Sequence, residues 1–205
     1  MDNTLAANIY IFILACVFAI LEIQIEGEHG WARNLPTWRP KKKNWAVNLY
    51  ETIMSGKELT GYHLTIFALV FLLFQLPYFF GYSLSWEHLA KTFSLYLLFV
   101  PLWDFLWFVF NPHYPLHKFK GEHIWWHETW LFGLPVDYFW GVTISLVIVL
   151  LGMIFGNADS LFHWWITNML LFIVETCLAI LFTLNVLNID NWNRKDSPFH
   201  SFRGR

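Results

Sequence analysis

Residues 5–25, LAANIYIFILACVFAILEIQI, are apolar except for Asn8, Glu22 and Gln24. About 20 such residues in a helix span the hydrocarbon core of a bilayer. The chain around this run has 205 residues, 57% hydrophobic and 14% charged, whereas a soluble domain usually carries about 25% charge. The run therefore predicts a transmembrane helix and sets the scale for reading the rest. Four more runs qualify: 64–82, where Pro77 is expected to kink the helix; 89–110, which contains Pro101 and Asp104; 139–155; and 161–187, long enough to tilt. The expectation is an all-α polytopic integral membrane protein, a single transmembrane domain of five spans with short interfacial helices. The opening MDNTLAANIY lacks the basic region and cleavage site of a secretory signal, so the first run is expected to be a permanent anchor.

The 13 Trp, 8 Tyr and 21 Phe fit this class, since amphipathic rings collect at the two membrane interfaces. A net charge of −2 argues against nucleic acid as a partner. Cys16 and Cys177 fall inside apolar runs, where cysteine behaves as a small hydrophobe. Of the 13 lysines and arginines, all but Lys91 lie in connections 26–60 and 111–137 or in the tail 188–205. The positive-inside rule makes that face cytoplasmic, with the N-terminus outside and the C-terminus inside. In the first connection Trp45, Leu49 and Ile53 recur every four residues before Gly56. This pattern predicts an interfacial helix over 44–54, its PKKK flank drawn to anionic lipid.

The second connection, 111–137, reads NPHYPLHKFKGEHIWWHETWLFGLPVD and holds four of the nine histidines. His113 with His117, and His123 with His127, are spaced so that a helix would put each pair on one face, offering two imidazoles to one metal ion. EHIWWHETWLF has helical character, and Asn111 with Pro112 could open a second short helix as N-cap and first helical residue. Glu22, Glu26 and His29 are spaced i, i+4, i+7, one face if the first helix continues past the membrane boundary. Glu26 with His29 has the Glu-x-x-His spacing of di-iron bundles. Asp104 and Glu175 lie inside apolar runs, where a carboxylate costs on the order of 2.5–3.5 kcal/mol and needs a partner, a proton or a metal. Both are therefore candidate catalytic groups. Lys91 is explained by Glu87 one turn before it.

No dinucleotide or P-loop motif, zinc-spaced cysteine pair or nucleophile elbow occurs. A metal would thus be held by nitrogen and oxygen donors, which suits iron, zinc or manganese. HYPLH (113–117) and HIWWH (123–127) resemble the simple boxes of membrane fatty-acid desaturases and hydroxylases. Those enzymes gather histidine boxes at helix ends around two irons and use dioxygen on a lipid chain. The resemblance covers some fifteen residues, and no HxxHH box is present. Glu22, Glu26, Glu28, Glu122 and Glu128 would have to complete the ligand set.

Three functions follow as expectations. The first is a metal-dependent oxidoreductase of a lipid or other apolar small molecule. It would use iron, as a di-iron centre, or zinc on His113, His117, His123, His127, Glu22, Glu26 and His29, with an electron-donor protein as partner. The second is a metal-free lipid isomerase working through Glu175 and Asp104. The third is a non-enzymatic subunit or scaffold whose partners are other chains of a membrane complex.

Overall fold

The computed structural model of the chain describes residues 3–41, 44–114, 116–156 and 158–189. The basic residues of the tail from 190 onward, together with Lys42, Lys43 and Pro115, lie outside the described residues. The helices in chain order are α1 (Thr4–Glu26), α2 (Trp45–Ile53), α3 (Gly61–Phe79), α4 (Trp86–Phe110), α5 (Val136–Gly156) and α6 (Leu161–Asn185). All but α2 are long and apolar enough to cross a membrane, and the fold is the expected all-α membrane bundle. Side chains such as Ile13, Leu72, Ile154 and Leu178 are exposed on its flanks, a surface suited to lipid and not to water.

Side-chain caps fix where helices begin. Asn44 accepts from the Val47 N–H at 3.0 Å and opens α2. Thr60 accepts from the His63 N–H at 3.2 Å and starts α3 at Gly61, three residues before the apolar run. Each cap satisfies a backbone donor that the helix itself leaves free.

The hub is α4, which packs against α1, α3, α5 and α6. In its most apolar stretch of 18 residues 44% of the residues are buried, against 17–22% in the corresponding stretches of the other four spans. Small residues bring α5 close: a Cβ on Gly152 would fall 2.5 Å from Ala90 Cβ, and Ser94 and Ser145 share a hydrogen bond of 2.8 Å. Asn8 of α1 donates to Asn168 Oδ1 of α6 at 2.8 Å. Small residues and interhelical hydrogen bonds are what hold helices together where lipid removes the hydrophobic drive.

Three local expectations are corrected. First, α1 stops at Glu26, because Gly27 (φ +64°), Gly30 (φ +61°), Trp31 (φ +44°) and Ala32 (φ +50°) take left-handed backbone and turn the chain back. Second, Asn111 ends α4 and does not open a new helix, its Oδ1 accepting from the His113 N–H; only a single 3₁₀ turn follows, at Leu116–Lys118. Third, residues 122–132 form turns leading into a hairpin, β1 (Trp130–Leu131) with β2 (Leu134–Pro135), and not a helix. Phe132 (φ +49°) and Gly133 (φ +80°) make its two-residue turn, which needs positive φ at both places. Tertiary bonds hold the preceding loop open. Glu128 N–H donates to Ser55 O at 2.8 Å, and Ser55 Oγ donates to Thr129 O at 2.9 Å.

Candidate functional site

Two polar clusters meet at the end of the bundle that carries residues 27–60 and 111–135. The first is built from the last turn of α1 and the first turn of α3. Glu22 and Glu26, one turn apart, both face His63, whose Nε2 lies 3.7 Å from Glu22 Oε1 and 3.3 Å from Glu26 Oε1. All three residues are buried, and one donor atom of each lies within 4.8 Å of the others. Ligands about 2.0–2.2 Å from one ion stand at such mutual distances. On its far side His63 Nδ1 is 2.7 Å from Thr60 Oγ1, and Nε2 has no hydrogen-bond partner among the described residues. The Ala32 N–H donates to the same Glu26 Oε1 at 2.5 Å; with Thr60 accepting the Nδ1 proton, the Nε2 lone pair faces the two carboxyl groups, an arrangement that a proton or a cation between them would satisfy.

The second cluster is a closed ring. Lys57 Nζ is 3.0 Å from Asp104 Oδ1 and 2.9 Å from Asp137 Oδ2. His127 closes the other side, Nε2 at 3.3 Å from Asp104 Oδ2 and Nδ1 at 3.3 Å from Asp137 Oδ1. The Tyr138 hydroxyl donates to Asp104 Oδ2 at 2.5 Å. Lys57 and His127 are each only 2% exposed. Burial alone would lower the Lys57 pKa, but Asp104 and Asp137 outweigh it and raise the ammonium above its ordinary value. The docking of Ser55 on Thr129 is what brings Lys57 beside His127, since both pairs are two residues apart.

Trp31 joins the clusters. Its ring stacks on His63 at 3.6 Å between centroids and lies 4.7 Å from the Lys57 ammonium. A void of about 10 Å³ lies among Glu22, Glu26 and Asp104, room for about one water. Both clusters also open on a cavity of about 190 Å³, walled by Glu22, Lys57, His63, Asp104 and Asp137 at one end and by Phe67, Val100, Trp140 and Ile144 beyond. The charges divide unequally. Two acids face two bases in the ring. The first cluster sets two carboxylates against one histidine and comes to balance with a divalent cation.

Among the residues expected from sequence, the structure brings Glu22 and Glu26 together in the first cluster and Asp104 and His127 in the ring. It does not bring the others there. His117 and His123 are exposed, His123 beside Glu122 at 3.4 Å. His113 lies 3.8 Å from Glu28, and so does His29. Glu175 lies on α6 near Cys16 of α1 and does not line the central cavity. Lys57, His63, Asp137 and Tyr138 were missed as site residues. Asp137, an acid in the first turn of an apolar helix, carried the same signal as Asp104. Lys57 and His63 carried only the burial that folding gives them.

Comparison of the chain with protein-family profiles, with curated proteins and with solved structures gives no match in any of the three.

Proposed function

We propose that the protein is a metal-dependent membrane enzyme that acts on a lipid or another apolar molecule, with Glu22, Glu26 and His63 as the ligands of one divalent ion. The observation that carries this reading is the convergence of three buried ligand-type side chains, with one atom of each within 4.8 Å of the others, beside an apolar cavity that Glu22 and His63 line. One imidazole and two carboxylates suit iron, zinc or manganese and leave coordination positions open. Iron would supply oxidation by dioxygen, the oxidoreductase chemistry, and zinc would supply Lewis-acid chemistry. The chain supplies the rest. Thr60 and Trp31 fix the His63 ring, and Lys57 bridges Asp104 and Asp137. Tyr138 and His127 both meet Asp104 at Oδ2, and Asp104 lines the small void beside Glu22 and Glu26, a route for a proton toward it. By the positive-inside rule this end is cytoplasmic, the N-terminus is outside, and any electron-donor protein would approach from the cytoplasm.

Elemental analysis of the purified protein tests the reading. The expected result is about one iron, zinc or manganese per chain, lost in Glu22→Gln, Glu26→Gln and His63→Ala and retained in His123→Ala. Trace metal in the unaltered protein would overturn it. A second reading, proton transfer without a metal, is favoured by the closed ring at Asp104. It predicts turnover lost in Asp104→Asn and retained in a Glu22→Gln, Glu26→Gln double variant.

A further inference from the structure

Outside the two clusters, two donors on the wall of the central cavity have no hydrogen-bond partner among the described residues, the Tyr50 hydroxyl and Trp103 Nε1, and the Trp103 N–H faces Glu22. Tyr50 sits on α2, whose Trp45, Leu49 and Ile53 side chains are exposed and whose Val47 is buried. The Tyr50 ring lines the cavity, and its hydroxyl is buried without a hydrogen-bond partner among the described residues. Leaving such a group unpaired costs about 1–3 kcal/mol, so a tyrosine there is a poor choice unless something fills the cavity and accepts its proton. Burial, and then the nearby Asp137, raise its pKa, which keeps the phenol a donor.

The charges on the same wall say what that acceptor is. The ring of Lys57, Asp104, His127 and Asp137 sets two acids against two bases, and the proposed divalent ion at Glu22, Glu26 and His63 would balance the carboxylates there. A charged head group of either sign would be buried there without a counter-charge. An ammonium would also lie beside Lys57 and the ion. We infer that the cavity binds a molecule with one long apolar chain and an uncharged oxygen head, an alcohol or a carbonyl, held by a hydrogen bond from the Tyr50 hydroxyl. The apolar part lies along Phe67, Val100 and Ile144 of α3, α4 and α5. The inference rests on the proposed metal site in one respect: the ion completes the charge balance.

The test is equilibrium binding to the purified, zinc-loaded full chain in mild detergent, followed by tryptophan fluorescence. The probes are hexadecanol, hexadecanal, hexadecane, palmitate, hexadecyl phosphate and hexadecylamine. The two uncharged oxygen probes are expected to bind about tenfold or more tighter than the other four. Tyr50→Phe should weaken hexadecanol by about five- to tenfold, the worth of one hydrogen bond, and leave hexadecane unchanged. Ile144→Trp should abolish binding of every probe while the metal content stays the same. Palmitate, hexadecyl phosphate or hexadecylamine binding as tightly as hexadecanol would overturn the inference. So would an unchanged hexadecanol affinity in Tyr50→Phe, or no binding of any probe. The same titration on the Glu22→Gln, Glu26→Gln double variant, neutral at that cluster without an ion, separates the two ideas. Retained preference there, with no metal in the unaltered protein, sinks the metal site and keeps the cavity assignment. Lost preference in a protein that does hold metal does the reverse.

Discussion

The ring of Lys57, Asp104, His127 and Asp137 and the cluster of Glu22, Glu26 and His63 share a wall, yet they solve the problem of buried charge in opposite ways. In the ring each acid faces two bases and each base two acids, although neither His127 nitrogen makes a hydrogen bond of ordinary geometry. The cluster is complete only with something added. The difference teaches that burial and ionisable residues do not by themselves mark a ligand site; the informative quantity is the charge left over after the side chains have been paired.

The most severe way to break the comparison is Lys57→Met. It leaves Asp104 and Asp137 facing each other with one imidazole, and breaking a buried pair in this way costs about 3–5 kcal/mol. Denaturant unfolding in detergent should show that loss whether or not metal is present. Glu22→Gln with Glu26→Gln, assayed without metal, should show none, since it removes the unmatched charge. Second in size is chelation. If the cluster holds an ion at a concentration a hundredfold above its Kd, removing that ion should cost about 2.7 kcal/mol. The double glutamine variant should be indifferent to chelator, and equal sensitivity in both proteins would mean that the ion sits elsewhere.

A smaller effect is expected at the hinge between the clusters. Gly30 has φ +61°, and a Cβ there would fall 2.5 Å from the Trp126 ring, so Gly30→Ala should cost about 1–3 kcal/mol. It should also weaken metal binding, because the next residue, Trp31, stacks on His63. The smallest effect sharpens the ring itself. The raised Lys57 pKa means that its contribution is full below its ordinary value of 10.5 and is lost as pH rises through the elevated folded value. Stability measured against pH should therefore begin to fall only above about pH 10.5, and this step should be missing in Lys57→Met.

How much of this was written in the chain varies by the distance over which the information acts. The five spans and α2 were legible because each is set by a local run or a four-residue repeat, and Asn44 and Gly56 mark the limits of α2 within a few residues. Glu22, Glu26 and Asp104 stood out as acids inside apolar helices. His63 did not, because HxxxH spacing has meaning only on a helix, and 122–132 is held out of helix by Ser55, more than sixty residues earlier. His63 looked ordinary beside four clustered histidines. What distinguishes it is that folding sets it against Glu22 and Glu26 of α1, a fact no local pattern contains.

Ile53, Trp140 and Ile144, at the rim of the central cavity, are all substantially exposed. A guest of the kind inferred above would reach that mouth sideways out of the acyl chains and not from bulk water. Its effective supply is therefore a mole fraction within the leaflet, so padding the bilayer with inert phospholipid should slow occupancy even when the total amount in the tube is held constant.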